Sequence, residues 1–214
     1  APPFEYNRKS VLAFNLPSVD LVNYEADDLI ATYVDQILEK GAKVTIVSSD
    51  KDLMQLFKKN VRIFDPMKNK FISEEDIKNK FGVDSSKVID VQSLAGDSSD
   101  NVPGVPGIGV KTAAELINKY GNLEKLLKSA NEIKQNKRRE TLIENKNKAI
   151  ISKKLVTLKH DAPVDKNLSE STSETDKLSM LYPLPENKPT TLARTPGSLS
   201  TKTEIMCFCE FFIL

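Results

Sequence analysis

Asp97 and Asp100, followed by Gly104, Gly107 and Gly109 and then by Lys111 and Thr112, place two different chemistries side by side in the stretch LAGDSSDNVPGVPGIGVKTAAELINKYG, residues 94–121. The carboxylates suit a cation. The glycines precede a helical pattern, where backbone N–H groups can approach an anion whose charge the helix N-terminus also favours. Two familiar phosphate motifs fall away. A Walker loop has the spacing of Gly104 and Gly109, but Val110 intervenes before Lys111 and Thr112. A dinucleotide fingerprint requires glycine where Thr112 stands, and DSSDNVP is no buried strand. What remains is a helix–hairpin–helix: a helix ending near Ala95, a glycine-rich turn, and a helix over about 110–120 with Gly121 as its C-cap. Such a turn holds a nucleic-acid phosphate without reading bases. The plainer alternative is a turn that only packs two helices together.

Further carboxylates stand upstream: Glu25, Asp27 and Asp28 at a helix start, and Asp50 and Asp52 just beyond a β-branched run. Singly, each has an ordinary explanation. Acids in a first turn favour the helix dipole by roughly 0.3–1 kcal/mol, and Asp after a strand is common turn chemistry. Jointly they say more. In open α/β sheets the functional crevice lies at the carboxyl ends of the strands, where Asp50 and Asp52 sit. Seven gathered carboxylates repel one another unless cations intervene, and oxygen donors alone select hard ions such as Mg²⁺ or Mn²⁺. Two ions about 3.5–4 Å apart can activate water and clamp a phosphodiester. Lys51, between two of the acids, suits either a phosphate or the balancing of their charge.

The elements that position these groups follow from periodicity. Residues 24–41 read as an amphipathic helix through Ile30, Tyr33, Val34, Ile37 and Leu38, closed by Gly41; KVTIVS at 43–48 reads as a buried strand, and LMQLF as a helical turn. Short strands are expected over 61–64 and 70–72, around Asp65–Pro66. Ser73 with Asp76 forms a capping box for a helix to Phe81, and Asp84 or Ser85 is expected to cap the next helix, to about Ala95. A basic helix is expected over 134–158. A short apolar piece spans 10–16. From Leu168 onward Ser, Thr and Pro dominate up to Thr203 and periodicity vanishes, so a linker or disordered tail is expected.

The 214 residues suffice for a sizeable core, and the net charge of +1 conceals an asymmetry: −4 over 1–100, +8 over 101–160 and −3 over 161–214. A basic lobe beside an acidic one suits a polyanion beside a metal site. The two cysteines, Cys207 and Cys209, organise neither a disulfide framework nor a zinc site, and one histidine excludes histidine-rich chemistry. No signal peptide or membrane span is present in the sequence, CFCEFFIL being too short to cross a bilayer. The chain starts at Ala1 in mid-pattern, as a fragment is expected to.

YEADD at 24–28, SSDKDL at 48–53, LAGDSSDNVPGVPGIGVKTA at 94–113 and YG at 120–121 resemble, in order and spacing, the flap-endonuclease and 5′–3′ exonuclease family, in particular the 5′ nuclease domain of bacterial DNA polymerase I. The similarity covers roughly residues 10–165. It implies a PIN-like parallel sheet flanked by helices, followed by a helix–hairpin–helix lobe. The corresponding division is 1–93 for a partial nuclease core, 94–167 for the DNA-binding lobe and 168–214 for a disordered or non-homologous tail. By this resemblance Glu25, Asp27, Asp28, Asp50, Asp52, Asp97 and Asp100 are the metal-site acids, with Asp28, Asp50, Asp97 and Asp100 catalytic. Gly104, Gly107, Gly109, Lys111 and Thr112 would grip duplex DNA bearing a 5′ end or flap, with K⁺ held by turn carbonyls. The implied cofactors are two Mg²⁺ or Mn²⁺ ions, and the implied setting is DNA replication and repair by a cytoplasmic monomer, with a separately encoded polymerase as a further partner. The family's first strand, with its own catalytic Asp, and its basic arch have no counterpart before Glu25. An incomplete metal site, and a catalytically inactive DNA-binding fragment, is therefore the second expectation; a packing-only scaffold is the third.

Overall fold

The computed structural model describes residues 13, 19–164 and, as backbone alone, 204–208. The apolar piece at 10–16 and most of the tail beyond 168 therefore lie outside the described residues. Helix α1 (Ala26–Glu39) buries Leu29, Ile30, Val34 and Ile37 and leads through a left-handed Gly41 into strand β1 (Lys43–Val47). The last four residues of β1 are all buried, which is why the run is continuously β-branched rather than alternating. β1 pairs in parallel with β2 (Val61–Asp65), Ile46 opposite Ile63, and β2 pairs antiparallel with β3 (Lys70–Ile72). The sheet is thus mixed rather than wholly parallel.

One more strand lies in the tail: Glu204–Phe208, just beyond the Ser, Thr and Pro-rich stretch, is strand β4, parallel to β1 on the edge away from β2, giving the order β3-β2-β1-β4.

A 3₁₀ turn over Asp52–Leu56 follows β1 and sinks Leu53, Met54 and Leu56 into the core. Those apolar anchors fix where the acids at the strand end stand. Helix α2 (Glu74–Phe81) opens on the expected reciprocal box: Ser73 Oγ accepts from the Asp76 N–H at 3.1 Å, and Asp76 Oδ2 from the Ser73 N–H at 2.9 Å. Asp84, by contrast, caps nothing. Its carboxylate pairs with Lys78 at 2.9 Å, and a 3₁₀ turn, Ser85–Lys87, leads into α3 (Val88–Ala95).

The remaining helices are α4 (Val110–Tyr120), α5 (Leu123–Lys128), α6 (Asn136–Glu144) and α7 (Lys146–Val156). The single basic helix expected over 134–158 is two. Asn145 breaks it, its Nδ2 donating to the Thr141 carbonyl at 2.9 Å in competition with helical continuation. α3 packs against both α4 and α7. Lys153 of α7 reaches Asp90 of α3 and Glu124 of α5 at 2.7 Å each, so one ammonium ties three helices.

The α3–α4 hairpin requires glycine for two different reasons. Gly96 and Gly104 both take positive φ, and their backbones touch: a Cβ on Gly104 would lie 2.5 Å from Gly96 N and 2.7 Å from Ala95 C. Gly107 also has positive φ (75°), but a Cβ there meets nothing. Gly104→Ala should therefore be severely destabilising, by about 3 kcal/mol or more, because backbone must move. Gly107→Ala should cost only about 1–2 kcal/mol of left-handed strain. Urea unfolding of both variants checks this, and equal costs would show that the close approach does not exist.

Candidate functional site

The site lies where β1 ends and the hairpin loop begins. Ser48 Oγ accepts from the Asp50 N–H at 2.9 Å, and Asp50 Oδ1 accepts from the Asp52 N–H at 2.8 Å, so the strand end is folded into nested side-chain turns that hold both acids. Across from them, Asp97 forms a two-way backbone bridge with Val102 and accepts the Ser99 N–H on Oδ1 at 2.9 Å. The loop from Asp97 to Val102 is a closed turn carrying Asp100 at its exposed tip.

Lys51 joins the two halves. Its Nζ lies 2.6 Å from Asp97 Oδ2, 3.3 Å from Asp100 Oδ2 and 3.8 Å from Asp52 Oδ1. Partial burial opposes its charge, yet the hydrogen bond to Asp97 and the fields of Asp52 and Asp97 hold the ammonium well above an ordinary lysine. The Lys51 hydrogen bond in turn holds Asp97 below the usual carboxylate range. Asp52 goes the other way. Burial pushes it up, with Asp50 and Asp100 adding repulsion, against the pull of Gln92 and Lys51. Three carboxylates, Asp52, Asp97 and Asp100, thus share the Lys51 ammonium, with Lys80, itself pushed down by burial and by Lys68 and Lys51, nearby.

Gln92 was not legible from the sequence. It sits on α3, 4% exposed, and its Nε2 donates to Asp52 Oδ1 at 2.5 Å. Its α3 neighbours Val88, Val91 and Leu94 mark a buried helix face, on which a polar residue would have been the available signal.

The carboxylates at the start of α1 stand differently. Glu25 is exposed at the N-cap without a side-chain bond to the helix, and Asp27 is half-buried. Asp28, expected as a catalytic ligand, is buried and engaged elsewhere: its Oδ1 accepts from the Lys159 N–H at 2.8 Å, and the Lys159 ammonium lies 3.8 Å from Oδ2 and 4.8 Å above the Tyr24 ring. Thr32 Oγ1, receiving the Ala162 N–H, and Gln55, bridging the Val156 carbonyl and the Leu158 N–H, continue the same seam. Asp28 here docks the segment after α7 onto α1. Among the described residues no three His, Cys, Asp or Glu side chains stand together in a ready metal-binding arrangement.

The glycine loop divides similarly. Gly104, expected against a phosphate, is buried and donates its N–H to Ser152 Oγ of α7 at 2.9 Å, while Val105 donates to the Leu94 carbonyl at 2.8 Å. Gly104 therefore closes the hairpin. The exposed positions are Gly107, Gly109, Val110 and Lys111, with Thr112 half-buried, and the first amides of α4 lack intrahelical acceptors by construction. These residues can receive an oxyanion.

No helix among the described residues is long and apolar enough to cross a membrane.

Two family models cover most of the chain: the N-terminal resolvase-like domain of 5′-3′ exonucleases matches residues 1–82, and their C-terminal SAM fold matches residues 83–178. The chain is 53% identical over 167 residues to DNA polymerase I of Rhizobium leguminosarum, 78% of this chain but 16% of that protein. It is 37% identical over 175 residues to the 5′-3′ exonuclease of Buchnera aphidicola, 79% of this chain and 60% of that protein. Among solved structures, T5 5′-exonuclease with bound zinc superposes with a TM-score of 0.66 at 25% identity, over 72% of this chain and 58% of that one. The chain thus spans 16–21% of the DNA polymerase I relatives and under two thirds of the exonucleases. A strand end carrying Asp50 and Asp52, set against a hairpin loop carrying Asp97 and Asp100, marks a chain that belongs to the 5′-3′ exonuclease family.

Proposed function

We propose that this chain is a divalent-metal-dependent nuclease unit, a 5′–3′ exonuclease or flap endonuclease that hydrolyses phosphodiester bonds of DNA in replication and repair. The observation that carries the reading is the convergence of Asp52, Asp97 and Asp100 on Lys51, with Asp50 fixing Asp52 from below. The donor set fits a hard cation: every donor is a carboxylate oxygen, and an added positive charge would offset the burial, and with it the repulsion from Asp50 and Asp100, that raises Asp52. Asp50, Asp52, Asp97 and Asp100 would hold Mg²⁺ or Mn²⁺, two ions being the expected number. Bound there, such ions would supply an activated water and stabilise charge on the phosphoryl oxygens.

The chain's own residues do the rest. Gly107, Gly109 and the first amides of α4, with Lys111 and Thr112, would hold a duplex phosphate and set the distance from the gripped backbone to the acids. Turn carbonyls would accept K⁺. Lys51 would balance the acids before cations arrive. Its relatives include DNA polymerase I of Rhizobium leguminosarum, a 5′-3′ exonuclease of Buchnera aphidicola and flap endonuclease Xni of Colwellia psychrerythraea.

A second reading rests on a specific observation: Asp28 is engaged with Lys159 rather than with the Lys51 cluster. A chain whose α1 acids stay out of the metal site would be a DNA-binding piece that does not turn over.

Cleavage of a 5′-flapped duplex in Mg²⁺ or Mn²⁺, against EDTA, decides between them. Asp97→Ala should lower cleavage by more than the roughly hundredfold that loss of an outer-shell partner can cost, with duplex affinity spared; unchanged cleavage defeats the assignment. Binding without any metal-dependent cleavage supports the second reading. Lys111→Glu should weaken duplex binding and make the log–log salt dependence shallower by about one unit.

Asp52→Asn should be inactive yet more stable in the absence of metal. The folded-state carboxyl is raised, so its penalty is absent below about pH 3.9, where both states are protonated, and complete above the folded value. The gain at neutral pH, about 2–4 °C per kcal/mol of relieved burial and repulsion, should therefore shrink in acid. A melting temperature lower than wild type at neutral pH would contradict the strain.

A further inference from the structure

The Gln92 amide is buried, and half of it is satisfied. Nε2 donates to Asp52 Oδ1, while Oε1 is enclosed and has no hydrogen-bond partner. A buried polar atom left unpaired is destabilising, and native folds rarely keep one without a use. Packing does not supply the use: Val88, Val91 and Leu94 on the same helix are fully buried and apolar, and a leucine would continue their face.

The contact with Asp52 does supply one. Asp52 is held at its backbone by Asp50, but of its two carboxylate oxygens it is Oδ1 that meets both Gln92, at 2.5 Å, and Lys51, at 3.8 Å. A short N–H donor on Oδ1 restrains the carboxylate and takes up one lone pair of that oxygen, leaving Oδ2 for a ligand. The helix that delivers this donor ends at Ala95, two residues before Asp97. One rigid element therefore aims Asp52 from its middle and feeds Asp97 from its end, while its other faces are packed against α4 and α7.

We propose that Gln92 is a positioning residue of the acidic site, an outer partner that orients the Asp52 carboxylate for a divalent cation and links that orientation to the helix–hairpin–helix lobe. The proposal rests on the reading of the cluster as a cation site.

Mn²⁺ binding to the 214-residue chain, followed by calorimetric titration or electron paramagnetic resonance, tests it with no substrate present. Gln92→Leu should raise the Mn²⁺ dissociation constant about tenfold or more, without lowering the metal-free melting temperature and with unchanged affinity for duplex DNA. Gln92→Met, of closer shape, serves as the second variant should the leucine disturb the fold. In an Asp52→Ala background the same substitution should have no further effect on Mn²⁺ affinity, because the partner it acts through is gone. A folded Gln92 variant that binds Mn²⁺ as wild type does, or one equally impaired with and without Asp52, overturns the positioning role. Mn²⁺ binding by the wild type that Asp97→Ala leaves intact, or no binding at all, overturns instead the cation-site reading and Gln92's role with it.

Discussion

Carboxylates gathered at a strand end must be balanced, and here one ammonium does most of the balancing. Lys51 Nζ lies between Asp52, Asp97 and Asp100, and the imbalance shows in the opposite displacement of two neighbouring acids: Asp97, bonded to Lys51, is held low, whereas Asp52 is pushed up by burial and by Asp50 and Asp100. Stability alone would favour dispersing these charges or replacing them with packed apolar groups. The fold instead anchors them, through the core-buried turn Asp52–Leu56 on one side and the closed Asp97–Val102 loop on the other. Local strain kept in place by rigid surroundings is the usual sign of a site built for a ligand.

Helix α3 connects that site to the basic lobe. Its residue Asp90 shares Lys153 with Glu124, its Gln92 contacts Asp52, its Leu94 carbonyl accepts from Val105, and its C-terminal glycine touches Gly104. Ser152 of α7 closes the hairpin by accepting the Gly104 N–H. Distance between the acids and the exposed start of α4 is therefore fixed by packed helices rather than by a loose linker. A polymer gripped by its backbone at one end and cut at the other requires such a fixed separation.

Local chemistry was the legible part of this chain. The α1 periodicity, the β1 run, the Ser73–Asp76 box and the α3–turn–α4 hairpin all have signatures within a few residues, and the structure has each of them where those signatures lie. Fold rules put the acids after β1 at a functional crevice; the hairpin-loop acids, rather than Asp28 of the α1 start, are what the structure sets against them. What escaped depends on distance along the chain. Asp28 resembles its neighbours in sequence, but its partner Lys159 is 131 residues away. Gly104 and Gly107 look alike, and only the approach of Gly96 and the hydroxyl of Ser152 tell them apart. Gln92 carries no local mark beyond being polar on an apolar face. The strand Glu204–Phe208 is a short run whose pairing depends on the edge of β1, not on its own sequence.

Anomalous diffraction from crystals of this chain grown with Mn²⁺ tests the central claim most directly, because it locates the cation without requiring turnover. Density between Asp50 and Asp52 on one side and Asp97 and Asp100 on the other, with the Lys51 ammonium moved from its place among them, is the predicted result. Saturating Mn²⁺ with those carboxylates still closed on Lys51, and no metal peak beside them, would contradict it.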